Sequence, residues 1–361
     1  MRSRIIHLVD GQDRSDARNL RTSVMVRGDA PAVPVRLDFA SLFAIAWPDL
    51  RRLVLGFGET GVAVVAVDLV KRRVAGTLAL AARIGRANAA IIGRHGQCDL
   101  FLHADPTLAL RHMVLIAHPQ TTSGEVTYRL VDLRTQTAFT DEGGRRLESL
   151  TASGPTFVQV GSYALFFLDT SDAPTAWPED PREAWQCVPE RVYVEETAAE
   201  PDRWKRGRQG GGKASQAGLA AGTGVVDSWG RQSVTLVQTQ PGPARARLDL
   251  STDDDPATGA LKLSSAGRTQ TLSVGHGSAR SGLLVGRYER CDTRGASVLA
   301  HHGISRVHAL VIEIEGVMYA IDTGSTNGIF AGETNVRIAP MAQGASLVLG
   351  DALATMEWLV P

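Results

Sequence analysis

From Leu283 to Phe330 the chain reads LLVGRYERCDTRGASVLAHHGISRVHALVIEIEGVMYAIDTGSTNGIF. Gly286-Arg287 follows the apolar run Leu283-Leu284-Val285. Ser305-Arg306-Val307-His308 precedes the β-prone run Ala309 to Ile314, and Gly324-Ser325-Thr326-Asn327-Gly328 is a tight turn between two further runs. Apolar, β-branched runs punctuated in this way describe loop chemistry mounted on a sheet. Two guanidiniums, Arg287 and Arg306, stand beside the hydroxyls of Ser305 and Thr326. That donor set suits a dianionic tetrahedral oxyanion, and phosphate fits it best, because Arg gives planar charge-assisted bonds and hydroxyls and turn amides complete the shell without adding charge. Asn327, with one acceptor and two donors, suits the backbone of an extended peptide. His308 follows Ser305 by three residues, but no G-x-S-x-G turn and no third member accompany the pair, so hydrolysis is not expected.

At these residues the chain resembles the forkhead-associated (FHA) family of phosphothreonine-reading domains. Gly286-Arg287, Ser305 to His308 and Ser325 to Gly328 meet its G-R, S-x-x-H and [ST]-x-N-G positions, and Gly344 to Asp351 (GASLVLGD) meets its tail. The resemblance implies an all-β fold, an eleven-stranded β-sandwich whose loops at one end bind a phosphothreonine peptide. It places Arg287, Ser305 and Arg306 on the phosphate, Thr326 between the phosphate and the threonine methyl, and Asn327 on the ligand backbone. Gly286, His308 and Gly328 would support the pocket.

A second copy lies upstream. Ile91-Ile92-Gly93-Arg94-His95-Gly96-Gln97-Cys98-Asp99 sets G-R-x-x-x-C-D in register with Leu284 to Asp292, which implies two domains of one type. The copies differ where the chemistry lies. Ala109 and Leu110 stand for Ser305 and Arg306, His112 is kept, and Thr135-Gln136-Thr137-Ala138 replaces the asparagine-bearing turn. Of the phosphate set only Arg94 survives, and each lost charge-assisted bond is worth roughly 1.5–3 kcal/mol. The first copy is therefore expected to read no phosphothreonine and to serve as a scaffold or to bind an unphosphorylated partner through its sandwich face. The alternative is that Thr135 and Thr137 rebuild a divergent pocket.

Four segments follow: an N-terminal region of unknown role at 1–59, a degenerate sandwich at 60–172, a long flexible linker at 173–257, and a sandwich with an intact pocket at 258–361. In the first, the alternation of VPVRLDF suggests a strand, and Ala40 to Leu55 suggests a short helix interrupted at Pro48. In the linker, Pro174, Pro178, Pro181 and Pro189 break the chain, and Glu190 to Glu196 suggests one added strand. Gly207 to Ala214 nearly spells a phosphate loop but lacks the terminal hydroxyl and a preceding strand. Arg203, Lys205, Arg206 and Arg208 read as a solvated basic stretch, and Thr197, in an acidic setting, is a candidate phosphorylation site for self-association through the C-terminal pocket.

With 361 residues, 43% of them hydrophobic, the chain can fill more than one core. Equal counts of 38 basic and 38 acidic residues give no whole-chain footprint for nucleic acid. Cys98, Cys187 and Cys291 form neither an even disulfide set nor a metal pair, so a reducing compartment is the simpler reading. No signal peptide or membrane span is read from the hydropathy, and no cofactor or metal is called for. The expectation is a cytoplasmic, non-enzymatic signalling adaptor that binds a phosphothreonine protein, the substrate of a Ser/Thr kinase or the kinase itself. The alternative is a structural or regulatory subunit of a bacterial secretion or injection assembly, with both sandwiches as contact surfaces.

Overall fold

The computed structural model describes residues 5–8, 22–25, 38–120, 124–135, 137–170, 177–195, 249–351 and 354–360. Thr197, the basic stretch, the near-phosphate loop and most of VPVRLDF lie outside them. β1 (Ile5–Leu8) and β2 (Thr22–Met25) pair antiparallel as a small separate sheet. Helix α1 (Phe39–Gly56) begins at Asp38, whose carboxylate accepts from the Ser41 amide at 3.3 Å. It runs through Pro48 without a break, contrary to the sequence expectation. A proline inside a helix costs about 3 kcal/mol. Burial of Leu42, Phe43, Trp47, Leu50 and Val54 against the neighbouring sheet offsets that cost.

The first sandwich runs β3 (Gly61–Asp68), β4 (Arg73–Ala81), β5 (Asn88–Gly93), β6 (Leu100–Phe101), β7 (Met113–Ala117), β8 (Thr127–Asp132), β9 (Phe139–Asp141), β10 (Arg146–Leu147), β11 (Ser149–Ser153), β12 (Thr156–Val160) and β13 (Tyr163–Asp169). A further strand, β14 (Tyr193–Glu195), comes from the stretch expected as linker and pairs antiparallel with β11. The two sheets have the orders β10-β9-β12-β13-β3-β4 and β14-β11-β8-β7-β5-β6. Residues 177–195 are thus part of this sandwich and not a free connection. Pro181, expected as a breaker, sits in the first turn of α2 (Pro181–Cys187), behind the capping carboxylate of Asp180. Trp185 stacks on Phe157 at 5.5 Å, Trp47 Nε1 donates to Pro178 O at 3.0 Å, and Arg191 holds Glu142 through Nε and Nη2.

The second sandwich is built of β15 (Asp249–Leu250), β16 (Ala257–Ser265), β17 (Arg268–Gly275), helix α3 (His276–Ser281), β18 (Leu283–Val285), β19 (Ala309–Ile314), β20 (Val317–Asp322), β21 (Ile329–Ala331), β22 (Thr334–Val336), β23 (Ile338–Pro340), β24 (Ser346–Leu349) and β25 (Ala354–Leu359). Its seven-stranded sheet is ordered β15-β17-β16-β25-β24-β21-β22 and its four-stranded sheet β18-β19-β20-β23. β15 lies within the stretch expected as linker and pairs parallel with β17.

Strand periodicity explains how the units fit together. Along β7, Met113, Leu115 and Ala117 point into the first core, while Val114 and Ile116 point outward. Along β19, Ala309 and Val311 point into the second core, while Leu310, Ile312 and Ile314 point outward. These outward rows meet each other. Ala89, Ile91, Val114, Ile116 and Val131 of the first sandwich form one buried cluster with Leu284, Leu310, Ile312, Tyr319 and Ile321 of the second. The opposite face of the first sandwich, through Ala63, Val65 and Val67 of β3, is covered by α1 and α2. Both sheet faces of the first copy are therefore occupied within the chain. The two sandwiches therefore pack against each other, and the outer face expected to meet a partner is covered within the chain.

Polar contacts edge the junction. Arg129, held by Ser149 Oγ, donates through Nη1 to Arg280 O at 2.8 Å. Arg134 pairs with Asp292 at 2.6 Å and donates to Gly282 O at 3.0 Å. Arg337 lies 3.7 Å from Asp99, and His118 meets Glu315 at 3.3 Å.

Candidate functional site

Three loops at one end of the second sandwich carry the candidate residues, and backbone chemistry locks them together. Gly286, just after β18, lies against the backbone of the second loop, where a Cβ would come within 2.3 Å of Arg306 O. Only glycine permits that approach. Thr293 Oγ1 donates to Gly286 O and accepts from Gly286 N, both at 2.9 Å, and Asp292 accepts from Leu284 N at 2.9 Å. The next residue, Arg287, is exposed, and its Nε donates to Ile304 O at 2.7 Å. One edge of the guanidinium is thereby spent on positioning.

His308 is wholly buried and organises the second loop. Its Nδ1 accepts from Ser305 N at 3.0 Å and its Nε2 donates to Gly328 O at 2.9 Å. Burial holds its pKa below the usual histidine range, so the ring is neutral with the proton on Nε2. Both ring nitrogens are engaged with backbone, and His308 has no free nitrogen to act as a base on Ser305. Ser305 Oγ accepts from Thr326 N at 3.0 Å, so its own proton is left to donate elsewhere. Arg306, next in the chain, is exposed.

The third loop is an Asx-type turn. Asp322 Oδ1 accepts from Ser325 N at 2.7 Å, and Ser325 Oγ accepts from Gly328 N at 2.9 Å. Gly328 has φ +77° and stands where a Cβ would strike Asn335 Nδ2. Thr326 is exposed at the tip. Asn327 donates from Nδ2 to Gly303 O at 3.0 Å and to Asp351 at 3.2 Å, so its offering to a ligand is the Oδ1 acceptor. The five candidates thus stand on three adjoining loops, with Ser305 and Thr326 in direct contact.

The first copy keeps the frame without the chemistry. Arg94 Nε donates to Leu108 O at 3.1 Å, as Arg287 does to Ile304. His112 accepts from Ala109 N at 3.1 Å and donates to Thr137 O at 2.7 Å, as His308 does in the second copy. Burial takes the pKa of His112 down to about 4. Thr135 donates its hydroxyl to Asp132 at 2.7 Å, inside the turn.

Sequence reasoning misses Asp322 and its counterpart Asp132, whose carboxylates cap the amides three residues on, at Ser325 and Thr135. The shared D-x-x-[ST] spacing is the available signal. It also misses Arg111 and Arg337, which flank Gly324 from behind.

His308→Ala should lower stability by roughly 2–4 kcal/mol, since it leaves the Ser305 amide buried without its acceptor and opens a cavity. His112→Ala should cost a similar amount. Urea unfolding measures both, and only the His308 variant should also weaken ligand binding at the C-terminal loops.

Residues 283–350 match the FHA domain family. A search of curated proteins finds no match. Among solved structures the chain is similar to FHA-1 of Mycobacterium tuberculosis Rv1747, at 29% identity over 29% of this chain and 98% of that one, with a TM-score of 0.23. The FhaA FHA domain, solved in complex with the intracellular domain of Rv3910, matches at 25% identity over 28% of this chain and 98% of its own, with a TM-score of 0.22. The yeast Dun1 FHA domain, solved with a doubly phosphorylated peptide derived from Rad53, matches at 20% identity over 30% and 78%, with a TM-score of 0.23.

Proposed function

We propose, on the premise that residues 283–350 are an FHA domain, that the chain is a cytoplasmic, non-enzymatic adaptor which binds phosphothreonine proteins through Arg287, Ser305, Arg306, Thr326 and Asn327. FHA domains bind phosphothreonine peptides in signalling. The observation that carries the reading for this chain is the bond from the Thr326 amide to Ser305 Oγ, which joins two of the candidate loops, with the exposed Arg306 next to Ser305 in the chain. The partner on this reading is a substrate of a Ser/Thr kinase, or the kinase itself. Among the described residues no helix is long and apolar enough to cross a membrane, and no group of His, Cys, Asp or Glu is placed to hold a metal ion.

Calorimetric titration of the full chain with a degenerate phosphothreonine library tests this. Binding of the phosphothreonine library, with none of its unphosphorylated form and weaker binding of phosphoserine, is the expected result; equal binding of all three would refute it. Asn327→Ala should weaken every phosphopeptide by about tenfold, because it removes one hydrogen bond to ligand backbone and releases Gly303 and Asp351. The secretion-assembly reading needs the first copy as a contact surface, and the burial of both its sheet faces weighs against it.

A further inference from the structure

The turn that carries Thr326 and Asn327 rests on the other sandwich. A Cβ on Gly324 would lie 3.3 Å from Arg111 Nε and 3.9 Å from Arg337 Nη1, so the back of the turn is closed by two guanidiniums. Arg111 belongs to the first sandwich, immediately before His112. Arg337 belongs to the second, donates to Asp322 O at 3.2 Å, and lies 3.7 Å from Asp99 of the first. Arg111 Nε is buried and has no hydrogen-bond partner among the described residues. Burial disfavours its cation, Cys98 and Asp322 favour it, and Arg306 and Arg290 disfavour it. Arg111 therefore stands against the turn whose amides Asp322 caps.

The arrangement is reciprocal. Arg290 of the second sandwich also has a buried, unpartnered Nε among the described residues, and its charge faces Asp132, the turn-shaping carboxylate of the first. The backbone of Arg290 also meets that turn, where Arg134 Nη1 donates to Arg290 O at 3.3 Å. Only one of those turns carries a binding set, and the arginine behind it comes from the copy that has lost its own.

We propose that Arg111 of the first sandwich is a positioning residue of the phosphothreonine site on the second, bracing the Asp322–Gly328 turn from behind and adding a third cation to its field. This rests on the phosphothreonine reading above. A cation behind the turn favours a dianion bound in front of it. Removing Arg111 loosens the turn and weakens the field together.

Two measurements on the full chain test the proposal. In the first, hydrogen exchange of the Ser325, Thr326 and Gly328 amides is followed without ligand. Arg111→Gln should speed exchange at these three, while His118→Gln, which cuts a contact to Glu315 elsewhere on the same junction, should leave them at the wild-type rate. In the second, titration with the phosphothreonine library should show Arg111→Gln weaker by on the order of tenfold and Arg111→Lys partly restored. His118→Gln should match wild type. Unchanged exchange in Arg111→Gln, or equal losses in the Arg111 and His118 variants, would overturn the role given to Arg111. Faster exchange in Arg111→Gln, together with a wild type that binds no phosphopeptide, would instead sink the phosphothreonine reading and leave the brace standing.

Discussion

Arg287→Ala in the full chain should bind the phosphothreonine library at least about a hundredfold more weakly than wild type, with a melting temperature within a few degrees of it. The first expectation follows from the number and kind of bonds lost, since two charge-assisted hydrogen bonds are worth roughly 1.5–3 kcal/mol each. The second follows from exposure. Arg287 sits in water apart from its Nε bond to Ile304 O, and a surface cation adds little to stability. Titration and calorimetric melting of one preparation read both quantities. Retained affinity would remove Arg287 from the phosphate, whereas a large drop in melting temperature would mean that the Ile304 bond braces the loop more than its exposure suggests.

The other large effect lies away from the binding loops. Ile312→Asp should uncouple the two sandwiches. Ile312 is fully buried in the cluster shared between them, so the change forfeits about 2 kcal/mol of burial and sets a carboxylate among Ile116, Leu310 and Ile321. The wild type should melt in one transition. In the variant the sandwiches separate so that the introduced carboxylate can reach water, and calorimetry should show two transitions, the earlier well below the wild-type one. Coincident single transitions in both proteins would refute the shared core. On the same argument, residues 249–360 alone would expose Leu284, Val307, Leu310 and Ile312, and should bind a hydrophobic dye and self-associate.

Much of the architecture could be read from local pattern. The runs around Val114 and Leu310 are apolar at successive positions, which marks strands buried on both faces, and the repeated G-R-x-x-x-C-D register relates the copies. What covers the outward rows could not be read, because periodicity names a buried face and not its partner. Trp177 and Trp185 sit among prolines, so their packing onto α1 was hidden by residues that signal breaks. The candidate set could be picked out because it occupies three short loops with distinctive chemistry. Arg111 was not, because it lies outside those loops, in the copy whose pocket residues are gone, and acts across a junction that exists only in three dimensions.

A junction between two related halves resembles a symmetric dimer, with one difference. In a pair of identical chains every substitution occurs twice, so a loop cannot lose its ligand in one half and keep it in the other. Joining both halves in one polypeptide removes that constraint: Ala109 and Leu110 can differ from Ser305 and Arg306, while Ile91 and Leu284 go on meeting across the seam. On the function proposed above, such a molecule has one binding end per chain, and two of these ends meet only if two chains are brought together.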